Sequence, residues 1–476
     1  MKQETITYQI TGGFSESQLH KFHEKVLWLI EKMGISVCPE VKQILPSDPS
    51  FMIESNRVKI KSEKVEKYLA KVRMRGKSKQ VEDSSSIKYS IIAPGALPFY
   101  QEDIITGKLH PLNCTDSIEN CKLCDMLSDD GVHGQATGLP QDVPLPLQGL
   151  TACKIGLEYC RNPGGVGVTS LLEFNFMNEM LAVVGKKSNG VGVHILNPMR
   201  IEGNEVLIAL ARISANRNTC VGVASMPILG VTVPIHLATA LIEGAAAVIA
   251  AATIFDAITE GDVHFDISSI FPFDMKVATI AYGTPQHLLS FLAGKQINEY
   301  YGKKTNYIRS LHTNASSCNV EGSSIRALQT SLGALNGFTD FGYGGMLGID
   351  KVFSPMQLMI DMEIVRYVKY VADGFDFSEK ILSLNDIFEV GPDGNFADHP
   401  VTLDNFRALL WHPLFFDNQS VEKHLVEGDH LRKKIFDFVQ GKIKAHNYHL
   451  SDEQQKELNR IYLKASKILM EQQERS

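Results

Sequence analysis

A basic surplus is what the chain most plainly lacks. Its 47 Lys and Arg stand against 54 Asp and Glu, a formal net charge of −7, so no positive surface is available to neutralise phosphates and nucleic acid is not an expected partner. The N-terminus, "MKQETITYQITGG", has no apolar stretch and does not read as a secretory signal. The cysteines (Cys38, Cys114, Cys121, Cys124, Cys153, Cys160, Cys220 and Cys318) are scattered rather than clustered, which fits a reduced, cytoplasmic protein and not a disulfide scaffold. "CTDSIENCKLC" has no second C-x-x-C to complete a structural zinc site, so a helix is the expected reading and no metal ligands are assigned. No G-x-S-x-G, H-E-x-x-H, P-loop or dinucleotide fingerprint occurs, which argues against hydrolase, metalloprotease and nucleotide-binding classes. Low-complexity segments are also missing.

What is present begins with a long apolar run. "ASMPILGVTVPIHLATALIEGAAAVIAAATIF" (224–255) carries one charged side chain, Glu243, yet Pro227, Gly230, Pro234 and Glu243 interrupt it. A spanning helix needs about 20 continuous apolar residues, and no Lys/Arg cluster flanks this run to orient one. The run splits into a buried strand and a helix opened by Pro234, with small residues that allow close approach to a sheet. Soluble core, not membrane, is the expectation.

The same strand-then-helix unit recurs. Strands are expected at "GVHGQATGLP" (131–140), "GGVGVTS", "GVGVHIL", "TCVGVAS", "DVHFDISSI", "YIRSLHTNA" and "TDFGYGGMLG", with a last short one at "LSLNDIFEV" (382–390). Their number and spacing fit an α/β fold, a (β/α)₈ TIM barrel over 131–391, near the usual ~250 residues. Residues 1–130 are expected to form N-terminal helices and a β-hairpin, and 392–476 a helical cap or dimer element. An open doubly wound sheet is the structural alternative.

In such a barrel, function sits at the C-terminal strand ends. There the sequence places Gln141 and Asp142, His194 and Asn197, Phe265, Asp266, Phe271 and Phe273, then His312 to Asn314, and Phe341, Tyr343 and Phe353. Each aromatic taken singly fits core packing. Together with sparse polar groups they suit an organic cation held over aromatic faces.

At this point the chain resembles the trimethylamine methyltransferase family, in its branch without pyrrolysine. "QEDIITGKLHPL" is similar to the family's D-x-x-T-G hairpin, and the 224–251 block to its strand-four region. "AYGTPQHLLSFLAGKQINEYYG" and "TLDNFRALLWHPLFFDNQSVEKHLVEG" match its later segments, although Pro400-Val401-Thr402 replaces the usual His-Thr entry. The strand-six segment "HTNASSCNVEGSSIRALQTS" also departs from the family pattern. The resemblance implies methyl transfer from a quaternary amine (glycine betaine, proline betaine, carnitine or γ-butyrobetaine) to the Co(I) of a separate corrinoid protein. No permanently bound cofactor and no catalytic nucleophile are then expected in this chain. For such a substrate, Phe341, Tyr343 and Phe353, with Phe99 and Tyr100 from the N-terminal hairpin, are the candidates for the cationic head. His312, Asn314, His194 and Asn197 are candidates for the carboxylate tail, joined by Arg309 if it points out of the strand rather than into the helix layer. Two other classes remain open: a binding protein that senses a quaternary amine, and another barrel enzyme such as an aldolase, for which Lys276 and Lys351 are loosely placed.

Overall fold

The computed structural model describes residues 5–7, 9–78, 88–186, 190–267, 270–379, 381–382, 384–417, 420–428 and 430–475. Residues 1–4 and Tyr8, and Ser268, Ser269 and Ser383 within expected strands, lie outside them. The strands that frame the molecule are Ser90–Ile92 (β1), Val132–His133 (β2), Gly190–Ile195 (β3), Cys220–Ser225 (β4), Val263–Phe265 (β5), Tyr307–Ile308 (β6) and Asp340–Gly342 (β7). Parallel ladders join β3, β4 and β5 into one arc, and β6, β7, β1 and β2 into another. Phe341 pairs with Ile308 on one side and Ile91 on the other, so the last strand adjoins the first. That cyclic order is what closes a barrel. Between β2 and β3 runs the ladder-free stretch 163–168. A Cβ added to Gly95 would lie 3.3 Å from the Gly165 carbonyl, and one on Gly164 3.8 Å from the Gly134 Cα, which places this stretch beside the end of β2.

Each of these segments leads into a helix. In order they are Cys114–Met126, Gln148–Tyr159, Leu171–Val183, Asn204–Ala215, Leu237–Ile258, Pro285–Tyr300, Val320–Leu335 and Pro355–Asp373. The fold is a (β/α)₈ barrel. Its unit count matches the sequence reading, but its opening and closing strands differ. "LSLNDIFEV" supplies no strand among the described residues. Asn385–Val390 is a helix, with Asp386 in its first turn and Gly391 after its end at φ 67°, the backbone that stops a helix. The vacated ladder position belongs to β1, whose residues the sequence reading put in a hairpin. The hairpin itself lies just beyond, Tyr100–Glu102 against Leu109–Pro111, inserted between β1 and its helix. Asp103 Oδ1 accepts from the Thr106 amide and hydroxyl, both at 2.7 Å, and Gly107 turns with φ 67°. The D-x-x-T-G pattern is therefore a side-chain-braced turn.

Alternation along the strands sorts side chains between two environments. Val191, Val193, Ile195, Val221 and Val223 are buried toward the helices, whereas Gly192, His194 and Gly222 face the open lumen. Helix Leu237–Ile258 starts three residues after Pro234, with His236 at its cap position. By length and composition it could cross a membrane, but 78% of its most apolar window is buried inside the protein. The reason lies in its surroundings. β3, β4 and β5 cover one side, and the N-terminal helices Glu16–Lys32 and Ser62–Ser78 cover the other. A helix sandwiched in this way is apolar all round. At the far end of the chain, helix Leu431–Ala445 packs on Cys114–Met126, and Asp452–Arg475 on Leu171–Val183, through Leu458, Ile461, Ala465 and Leu469.

Candidate functional site

The C-terminal ends of β1, β2, β6 and β7 open on a cavity of about 640 Å³. Tyr307, Tyr343 and His133 contribute to its wall, with the carboxylates of Glu173 and Glu205 opposite apolar Leu97 and Pro146. Among the described residues its lining contains neither Ser nor Cys. Burial pushes the Cys121 and Cys124 thiols up, Cys124 far above the range in which thiolates form near neutrality, so neither supplies a nucleophile.

Beside Tyr343 stands a stack of rings. His312 lies between Tyr282 (centroids 3.8 Å apart, planes at 16°) and Tyr343 (4.6 Å, 9°). Its Nε2 bonds one oxygen of Asp350, whose other oxygen accepts from the Tyr282 hydroxyl at 2.9 Å. Burial lowers the His312 pKa despite that carboxylate. Three residues here hold backbone that L side chains avoid: Tyr343 at φ 69°, Ile349 at φ 56° and Asp350 at φ 66°. Such residues cost about 1–3 kcal/mol each and persist only where their surroundings hold them. The Tyr343 amide donates to the Ile92 carbonyl at 2.9 Å, and its carbonyl accepts from Met346 at 3.0 Å, so its ring is fixed at the junction of β7 and β1.

Of the residues named from the sequence, Tyr343 and His312 meet in this stack. Phe341 and Phe353 do not join them. Both are 0% exposed and pack toward the helix layer, Phe341 stacked on Tyr89 at 5.9 Å. The cause is strand phase: Gly342 faces Tyr307, whose hydroxyl would clash with any Cβ there, so Phe341 must face outward. Phe99 and Tyr100 both donate their amides to the Lys351 carbonyl at the hairpin and do not line the cavity; Leu97 does. The four tail candidates are each committed elsewhere. His194 donates its amide to Glu205 at 2.7 Å and its Nδ1 lies 2.9 Å from the same carboxylate. Asn314 accepts from the Tyr282 amide and donates to the Ile280 carbonyl. His312 is bonded to Asp350, and Asn197 donates to Glu243 at 2.8 Å. Lys276 and Lys351 are exposed, without the burial that activates a Schiff-base lysine.

Tyr282, Tyr307, Asp350 and the carboxylates Glu173 and Glu205 were not singled out from the sequence. Tyr307 had a readable signal: in "YIR" the middle Ile308 is fully buried toward the helices, so Tyr307 and Arg309 face inward together. Arg309 does point into the barrel, with its guanidinium 5.3 Å from the Tyr343 ring centroid and 5.4 Å from that of Phe271.

Glu243, the lone charge of the apolar run, accepts from Asn197 and from the Met199 amide at 3.1 Å, tying the core helix to the turn after β3. Burial raises its pKa to about 7, against those two hydrogen bonds. A carboxyl raised in the folded state binds its proton more tightly there than in the unfolded chain. Stability is therefore fullest at low pH, declines as pH rises from the unfolded value of 4.5 toward about 7, and levels off above. Glu243→Gln is expected to flatten that segment of the thermal midpoint against pH, because it removes the titrating carboxyl, and Asn197 can turn its unpartnered Oδ1 toward the new amide to keep the contact. A variant with the wild-type slope between pH 5 and 7 would show that Glu243 does not carry it.

The model of the trimethylamine methyltransferase family matches residues 2–459. The chain belongs to that family. Among its relatives, the trimethylamine methyltransferase of Methanosarcina thermophila is 28% identical over 219 residues, 46% of this chain and 44% of that protein. The match thus spans less than half the length of that relative. A glycine betaine methyltransferase from Desulfitobacterium hafniense is 22% identical over 86% of this chain and 87% of its own. The crystal structure of Methanosarcina barkeri monomethylamine methyltransferase superposes with a TM-score of 0.48 at 12% identity, over 92% of this chain and 89% of that one.

Proposed function

We propose that this protein moves a methyl group from a betaine-type quaternary amine (glycine betaine, proline betaine, carnitine or γ-butyrobetaine) to the Co(I) of a cognate corrinoid protein. The observation that carries the reading is a cavity walled by the Tyr307 and Tyr343 rings and two carboxylates. Family membership and the likeness to a glycine betaine methyltransferase support it. The corrinoid supplies the nucleophile. As the N-methyl carbon–nitrogen bond breaks, its electron pair stays on nitrogen and leaves a neutral tertiary amine. No general acid is required, and burial lowers the pKa of His312, the ring stacked on Tyr343. The chain's own residues then bind and orient. Tyr307 and Tyr343 offer ring faces to the cationic head, and Glu173 and Glu205 add negative field.

The test is methylation of reduced cobalamin, followed spectrally across a panel of amines. Quaternary donors are expected to react and trimethylamine not to. Trimethylamine has a good leaving group, dimethylamine, only while its nitrogen keeps the proton, whereas a quaternary donor needs no proton, and the Glu173 and Glu205 carboxylates of the wall would draw that proton away. Equal rates with trimethylamine and a quaternary donor would contradict the reading.

A further inference from the structure

A betaine carries a carboxylate as well as a cation, and the donors expected to meet it are engaged within the protein. His194 is bonded to Glu205, Asn197 to Glu243, His312 to Asp350 and Asn314 to backbone. One strong donor is left over. Arg309 extends inward from the end of β6, over the Tyr343 and Phe271 rings and beside the Tyr307 hydroxyl. No carboxylate among the described residues comes within 4 Å of its guanidinium, although Arg326, its counterpart on the next helix, has Asp361 at 2.7 Å. Burial works against the Arg309 charge, but the Asp350 carboxylate is among the groups that favour it, and a guanidinium stays a cation. A guanidinium held largely out of water without an anionic partner is costly, and the cost falls once an anion arrives.

We infer that Arg309 is the specificity residue of the site: it receives the carboxylate of the quaternary amine and so selects carboxylate-tailed substrates over neutral-tailed ones. This rests on the quaternary-amine reading above. A planar fork of N–H donors matches a carboxylate bidentately. Arg309 does not itself line the cavity but lies over the Tyr343 ring that does, so the tail reaches the guanidinium past that ring. Cation and anion of the substrate then meet adjacent but different groups, and the methyl groups are oriented by a two-point grip.

The experiment is direct binding by calorimetry, without any corrinoid, of glycine betaine, γ-butyrobetaine, choline and phosphocholine to wild type, Arg309→Met and Arg309→Lys. Wild type is expected to bind a carboxylate-tailed amine more tightly than choline. Arg309→Met should weaken that ligand by on the order of 100-fold and leave choline within about threefold. Arg309→Lys keeps the charge but not the fork, and should give an intermediate loss on the carboxylate ligand alone. It also serves if the Met variant fails to fold. Equal losses for choline and the carboxylate ligand, or no loss for either, would overturn the assignment. Tighter binding of phosphocholine than of every carboxylate would overturn the choice of anion. Because binding is read without methyl transfer, a protein that discriminates tails but methylates no cobalamin would sink the activity and leave this inference standing. Transfer that proceeds with tail preference indifferent to Arg309 would do the reverse.

Discussion

Phe353→Ala is expected to lower stability by about 3–5 kcal/mol while leaving amine affinity per folded molecule nearly intact. Its ring is 0% exposed, lies against Gly345 so closely that an added Cβ there would come within 2.7 Å of it, and belongs to the cluster that includes Leu358 and Met359. Truncation leaves a cavity where the surrounding strand and helix have little room to collapse. Tyr343→Ala is expected to behave in the opposite way. The ring is partly exposed and walls the cavity, and its loss should weaken a bound quaternary ammonium by about 2 kcal/mol, roughly 30-fold. Stability should change less, since Ala at φ 69° retains the strain but vacates no sealed core. Thermal midpoints and calorimetric affinities measured on both variants separate the two roles. If both lose stability and affinity in step, Tyr343 is core and the head-binding wall lies elsewhere.

That pair of aromatics also shows how far the sequence could be read. Both sit at barrel strand ends and are chemically alike, so residue type alone put them in one cage. What divides them is the phase of a short strand, and that phase is set by contacts remote in sequence: Tyr307 filling the space opposite Gly342, and Ile91 and Ile308 flanking Phe341. The repeating strand–helix unit was legible because Gly-flanked β-branched runs and small-residue helices follow each other at regular spacing. It failed at β1, where the hairpin Tyr100–Pro111 separates Ser90–Ile92 from helix Cys114–Met126 and hides the unit. The compensating error was a strand expected at 382–390, where Asp386 and the glycine at 391 mark the start and stop of a helix.

The polar residues were harder still. A sequence shows that Asn197, Asn314, His194 and His312 can donate, but not that Glu243, Ile280, Glu205 and Asp350 are waiting within reach. Asp350 in particular reaches His312 only because Ile349 and Asp350 both adopt left-handed backbone, which no residue type there advertises. Arg309 is the converse case. Its direction follows from alternation with the buried Ile308, whereas its lack of a carboxylate partner among the described residues emerges only once Asp350 and Asp266 are seen paired with His312 and Lys303.

Asp361→Asn carries the other large expected effect, and it bears on how Tyr343 is held. Arg326 and Asp361 are both 0% exposed, joined at 2.7 Å, and the Arg326 Nε has no partner at all. Burial pushes the Asp361 carboxyl up, opposed by Arg326, the Gly345 amide at 2.7 Å and Gln357 at 3.0 Å. Arg326 also donates to the Met346 carbonyl, so the pair grips Gly345 and Met346 in the turn that follows Tyr343. Neutralising the aspartate strands a buried guanidinium, which typically destabilises by about 3–5 kcal/mol. The double replacement Arg326→Met with Asp361→Leu removes both charges together and should destabilise by clearly less than the sum of the single changes, with a residual loss of about 1–3 kcal/mol for the unpartnered Gly345 N–H. If the pair matters to the site as well as to the fold, the double variant will be stable enough to assay yet bind quaternary amines more weakly than wild type, because the Tyr343 turn has lost two of its anchors. An Asp361→Asn protein with an unchanged thermal midpoint would show that the guanidinium finds another partner. A stable double variant with wild-type affinity would show that Tyr343 is held by its bonds to Ile92 and Met346 alone.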